Sequence, residues 1–275
     1  MKQLLVSGYG DIARRAEPDL AREFRIVRLA RRFGRDLDRP QTLDPLVMES
    51  AHALLHCAPP PASGDSDART ANLLAVLAKS SILPARIVYV STSGVYGDCG
   101  GELVDESRPL APRTPRAQRR ADAERQLTAW CAERGAALIV LRAPGIYAAD
   151  RLPLERLRAR RPVLRTEDDV YTNHIHADDL AAIARRALQD DAPEGVYNAC
   201  DDTRMKMGDW LDLVADAAGL PRPPRVARAA LAEANDFMNE SRRLDNTRMK
   251  QILDVKLRYP TVHEGLAHAN AVGVD

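Results

Sequence analysis

The chain of 275 residues is poor in aromatic side chains, at 4%, and carries almost no charge imbalance, with 40 basic against 39 acidic residues and a net charge of +1. That balance leaves no overall field to hold a nucleic-acid backbone, so small molecules are the expected partners. Long hydrophobic runs are also missing. The opening run Gln3-Leu4-Leu5-Val6 stops at Gly8, too brief for a signal-peptide core or a membrane span. Cys57, Cys99, Cys131 and Cys200 are far apart and form no C-x-x-C pair. Neither a zinc knuckle nor a disulfide framework is indicated, and structural thiols in a reducing cytoplasm fit. His52, His56, His174 and His176 make no H-E-x-x-H or other metal spacing. A hydrolase triad from Ser93, His176 and Asp178 is set aside, because no G-x-S-x-G elbow surrounds the serine.

What is present is an ordinary globular composition, 45% hydrophobic and 29% charged, in a chain long enough for one large domain or one and a half. Short apolar runs alternate with longer stretches of helical period, the pattern of βαβ units feeding a parallel sheet. Strands are expected at Gln3 to Val6, Arg25 to Leu29, Ala53 to Cys57, Arg86 to Ser91, Ala137 to Arg142 and Gly195 to Asn198. Runs such as Ile87-Val88-Tyr89-Val90 are apolar without alternation, as in strands buried on both faces. A helix is expected over Asp65 to Lys79, with Ala71, Leu74 and Leu77 inward, and another over Ala117 to Arg134, with Ala121, Leu127, Trp130 and Cys131 inward. The arginine-rich stretches Arg113 to Arg125 and Arg156 to Arg161 read as solvated helix faces, though a diphosphate-bearing substrate would find donors there. Asp178-Asp179 reads as a helix cap. After Arg142, prolines at 144, 153, 162, 221, 223 and 224 punctuate shorter helices. The division implied is a core over 1–142 and a mixed, substrate-facing lobe over 143–275, with 174–198 returning to the sheet.

Directly after the first strand comes Gly8-Tyr9-Gly10-Asp11-Ile12-Ala13, a G-x-G-x-x-A match opening a helix. The first glycine allows the tight turn, the second lets backbone approach a pyrophosphate, and Ala13 permits close helix packing, with the helix N-terminus facing the phosphate charge. This predicts a Rossmann-like, doubly wound α/β sheet that binds a dinucleotide. The second strand ends in Leu29-Ala30-Arg31-Arg32, with no carboxylate for a ribose 2′-hydroxyl. Guanidinium groups suit a 2′-phosphate, so Arg31 and Arg32 favour NADP(H) over NAD(H). At the end of the third strand, Ala58 and Pro59 are expected to line the adenosine or pyrophosphate.

Four further segments carry a resemblance. They are Ser91-Thr92-Ser93-Gly94-Val95-Tyr96-Gly97, Leu141-Arg142-Ala143-Pro144-Gly145-Ile146-Tyr147, His174-Ile175-His176-Ala177-Asp178-Asp179-Leu180 and Val196-Tyr197-Asn198. With the glycine turn, and in this order, they resemble the extended or atypical branch of the short-chain dehydrogenase/reductase superfamily, the proteins similar to NAD-dependent epimerases and dehydratases. The resemblance implies a hydroxyl at Thr92, and a Y-x-x-x-K pair in which tyrosine is the general acid/base and lysine holds the nicotinamide ribose. Counted back from Ala123-Glu124, that pair falls on Arg116 and Arg120.

A guanidinium does not exchange a proton near neutrality as a phenol does. Arg120 can keep a positive charge in the lysine's place, but Arg116 cannot replace the tyrosine. Tyr96, Tyr147 and Tyr171 are candidate phenols from other walls, each also readable as a packed aromatic. Two functions stay open. One is an NAD(P)(H)-dependent oxidoreductase or epimerase acting on a hydroxyl or carbonyl of a small substrate, nucleotide-sugar-like ones included. The other is a non-catalytic NADP(H)-binding sensor or scaffold. Nothing in the sequence speaks to the oligomeric state.

Overall fold

The computed structural model describes residues 1–43, 51–80, 82–231 and 239–271. Its strands are β1 (Lys2–Ser7), β2 (Phe24–Leu29), β3 (Ala51–His56), β4 (Arg86–Thr92), β5 (Ala137–Ala143), β6 (Gly145–Tyr147), β7 (His174–His176) and β8 (Gly195–Asn198), with two-residue strands besides. The principal helices are α1 (Asp11–Leu20), α2 (Ala68–Leu77), α3 (Pro115–Arg134), α4 (Ala177–Ala187), α5 (Met207–Ala217) and α6 (Val262–Ala271). The six expected strands all form, and they make one parallel sheet in the order β8-β5-β4-β3-β1-β2. The order reverses between β1 and β3, so the crevice beyond their carboxyl ends is where such a sheet takes a ligand.

Side chains alternate across this sheet, and both faces are covered. Leu4, Val6, Leu55, Val88, Val90, Ile139 and Leu141 pack on one side with α1 and α4, while Leu5, Leu54, Ile87, Tyr89 and Val140 pack on the other with α2 and α3. That double burial is why the strand segments lack a polar stripe.

Local chemistry sets the helix ends. Asp67 caps α2 by accepting from the backbone N–H of Arg69 and of Thr70, both at 3.1 Å. Within α2, Leu73, Leu74, Val76 and Leu77 are buried whereas Ala71, expected inward, is exposed. Helix α3 begins two residues before its expected start because Thr114 accepts from Ala117 N–H at 3.1 Å and Pro115 takes the first helical position. It ends at Gly135, in the left-handed region at φ +67°.

Two further positions differ from what the sequence suggests. Arg119 and Arg120 are not on a solvated face: they are 6% and 7% exposed, held by carbonyls from other segments. The Asp178-Asp179 pair does not cap α4; His176 Nδ1 does, accepting from Asp178 N–H. Asp178 instead pairs with Arg15 at 2.7 Å, and Asp179 accepts from the N–H groups of Arg258 and Tyr259.

Beyond β5 the chain builds a second apolar cluster from Tyr147, Leu157, Trp210, Leu211, Val214, Val262 and Leu266. Strand β7 pairs with β6 outside the main sheet, and β8 joins the main sheet beside β5. A buried network ties this region to the core. Arg142 donates to Glu124 at 2.8 Å and to Tyr96 Oη at 2.9 Å, Ser91 Oγ donates to Glu124 at 2.5 Å, and Tyr96 Oη donates to Asn198.

Candidate active site

The turn after β1 is shaped by its backbone. Gly8 N–H donates to Leu29 O at 3.1 Å, and Cys57 N–H to Ser7 O at 2.7 Å, so three strand ends meet there. Gly8 sits at φ +76°, and a Cβ on it would lie 2.2 Å from Ala58 N. No other residue fits. Gly10 differs, because a Cβ there would meet nothing nearer than Gly8 O at 3.9 Å. The protein leaves that space open in front of the N-terminus of α1, which Gly10 caps without a side chain. Such a cradle of backbone at a helix N-terminus suits a pyrophosphate. Asp11 places a carboxylate nearby, and Arg15 at 3.0 Å and Arg151 at 3.1 Å answer it.

Gly8, Gly10, Asp11 and Ile12 line a narrow cleft of about 160 Å³ with Cys57, Thr92, Arg116, Arg120 and Arg151. Tyr9 and Ala13 are outside its lining; Ala13 is 2% exposed in the core. Arg32 donates to Tyr9 O at 2.9 Å and stacks on the Tyr9 ring at 4.8 Å, so it and exposed Arg31 stand beside the turn. Ala58 is buried against Gly8 with its carbonyl taken by Arg120, and Pro59 is exposed with its carbonyl taken by Arg69.

A second, larger cavity of about 580 Å³ adjoins the cleft, sharing Thr92, Arg116, Pro144, Ile146 and Arg151 with it. Thr92 Oγ1 accepts from Gly94 N–H at 3.2 Å, which leaves its proton free to donate. Arg120 Nη1 serves Val90 O, Tyr89 Oη and Ala58 O at 2.9, 3.0 and 3.2 Å, clamping the ends of β3 and β4, while its Nε is buried without a partner. Arg116, one helical turn earlier, faces both spaces. Burial, and then the like charge of Arg120, pull its guanidinium below the usual value.

The far wall of the larger cavity is aromatic. His174 lies 4.3 Å from Trp210, and Tyr147 crosses both rings edge-on. Burial pulls His174 down to about 3, so its imidazole is neutral. Tyr147 is 3% exposed and donates to Thr261 O at 3.3 Å, and burial raises its phenol well above the usual value. Tyr96 lies in the buried network and outside both linings, burial raising it to about 12. Tyr171 is half-buried in the larger lining. No tyrosine lines the narrow cleft among the described residues.

The family model for the NAD-dependent epimerase/dehydratase family matches residues 5–200, which span the glycine turn, Thr92, both arginines and β8. The chain belongs to this family. None of the curated proteins matches it. Solved structures resemble it over almost its whole length. A conserved protein of unknown function from Silicibacter pomeroyi DSS is 29% identical, with a TM-score of 0.77 and 99% of each chain covered. RMD from Pseudomonas aeruginosa, solved with NADPH, is 19% identical at a TM-score of 0.76, with 98% of each chain covered. UDP-glucose 4-epimerase from Thermotoga maritima, solved with UDP-glucose, is 16% identical at 0.79, covering 98% of this chain and 97% of that one.

For a member of the epimerase/dehydratase family, several wall residues carry no sequence signal. Arg151 lines both spaces and pairs with Asp11, 140 residues away. Glu240 and Arg242, paired at 2.7 Å, close the larger cavity, and Asn173 holds that segment by donating to Arg242 O and accepting from Leu244 N–H.

Proposed function

We propose that the protein is an NADP(H)-dependent oxidoreductase or epimerase that acts on a hydroxyl or carbonyl of a small substrate, nucleotide sugars included, in the cytoplasm. The observation that carries this reading is the shared wall: a cleft at the glycine turn opens onto a roomier cavity through Thr92, Arg116 and Arg151. When bound, the nicotinamide supplies hydride exchange with a substrate carbon. Gly8, Gly10, Asp11 and Ile12 hold the pyrophosphate, with Tyr9 completing the turn and Ala13 packing α1 against the core, Ala58 and Pro59 border the adenosine, and Arg31 and Arg32 take the 2′-phosphate. Thr92 donates to the reacting oxygen and polarises it. Arg120 supplies fixed positive charge where the family resemblance places lysine. Arg116 moves no proton, so the proton comes from water in the open cavity.

The missing tyrosine in the narrow cleft favours a second reading, an NADP(H)-binding sensor or scaffold without turnover. Titration calorimetry with NADPH, NADP, NADH and NAD tests the common ground. Micromolar binding of the phosphorylated pair is expected, falling by about a hundredfold in Gly10→Glu, whose side chain fills the open space before α1. Absence of binding by all four would sink both readings. Turnover by the unmodified chain in a substrate screen removes the sensor.

A further inference from the structure

Most of the charge in the wall of the larger cavity is already answered. Arg242 is paired with Glu240 at 2.7 Å, and Arg151 with Asp11 at 3.1 Å. His174 is neutral and adds none. Arg116 alone has no carboxylate partner among the described residues, and the charge acting on it is that of Arg120, of its own sign. A solvent-accessible guanidinium with no carboxylate beside it is free to pair with an anion that enters the cavity it lines. A guanidinium holds its proton but offers two parallel N–H groups in a rigid fork, the complement of a planar carboxylate.

Position narrows the answer. Arg116 and Thr92 both line both spaces, so one bound molecule can meet Arg116 and present an oxygen to Thr92. We infer that the substrate carries a carboxylate besides the reacting oxygen, and that Arg116 holds it in a two-pronged hydrogen bond. A doubly charged phosphate would call for a second free cation, and the other two arginines of the wall are engaged by Glu240 and Asp11. The inference rests on the larger cavity being the substrate site, as proposed above. Arg116 is thereby a specificity residue standing where a proton donor stood in the family pattern.

Calorimetry on the full chain saturated with NADP tests this with matched probes: 2-oxobutyrate against 2-oxobutyramide, glucuronate against glucose, and methylphosphonate as a third arm. The expected result is that at least one acid binds tenfold or more tightly than its neutral twin. Arg116→Gln should abolish that difference, with Arg116→Lys intermediate because it keeps charge and loses the fork. Arg116 is exposed at the surface of α3, and an unchanged far-ultraviolet dichroism spectrum confirms that each variant folds. The inference is overturned if neutral twins bind as tightly as the acids, if Arg116→Gln binds like the wild type, or if methylphosphonate outcompetes both acids. If NADP binds and no acid does, the inference alone falls; if NADP does not bind, the proposed function falls and takes the inference with it.

Discussion

The two halves of the cleft are built by opposite means. On the glycine-turn side the main chain does the shaping: Gly8, its contact with Ala58 and the bonds to Leu29 and Ser7 form a cradle that needs almost no side chain. On the other side nearly everything is side chain, contributed by distant segments: Glu240 with Arg242, Asn173 beneath them, Trp210 against His174, and Arg116 from α3. A backbone site tolerates few residue types at fixed spacing, whereas a side-chain site can be filled in many ways on the same scaffold.

Substitutions on the two sides should differ in what they cost. The largest effect is expected on the backbone side, where Gly8→Ala combines a left-handed φ with a Cβ driven into Ala58 N. A loss of about 4 kcal/mol in stability, read from a denaturant midpoint, should accompany loss of NADPH binding. A near-neutral result would mean that the turn relaxes and that its backbone does not dictate its shape. In the buried network that joins the side-chain half to the core, Glu124→Gln leaves Arg142 without its full charge partner, at 6% and 7% side-chain exposure for the pair. About 3 kcal/mol should be lost.

Two buried groups make the stability depend on pH. Burial raises Asp201 to about 7, and its Oδ2 has no partner. Its folded-state value therefore lies above the unfolded one, so its contribution is fully present at pH 4 and is lost as pH rises through 7. Asp201→Asn should flatten that slope and raise the melting temperature at pH 8 above that of the unmodified chain. His174 acts in the opposite sense: with its value near 3, the stability of its neutral form is present above pH 6.5 and is lost as pH falls toward 3.

What was legible in the sequence follows the same division. The strands and the glycine turn were readable because their signals are local: uninterrupted apolar runs, and two glycines at fixed spacing ahead of a helix. The arginine-rich run suggests a solvated face, but Arg119 and Arg120 are buried because their acceptors, Ala62, Gly64, Ala58 and Val90, come from segments that only folding brings near. The acidic pair before α4 has the composition of a cap, but His176 occupies that role and frees both carboxylates for long-range partners. Arg151 had no motif at all, since its meaning depends on Asp11 across the cleft.

The aromatic wall has a practical side. Of the two tryptophans, Trp210 borders the larger cavity and Trp130 lies in the buried face of α3 against the sheet, with the Arg134 side chain over its ring. Emission from Trp130 should stay constant while that of Trp210 responds to whatever enters beside His174, so the native chain carries its own optical reporter for ligand screening, with no dye or label attached.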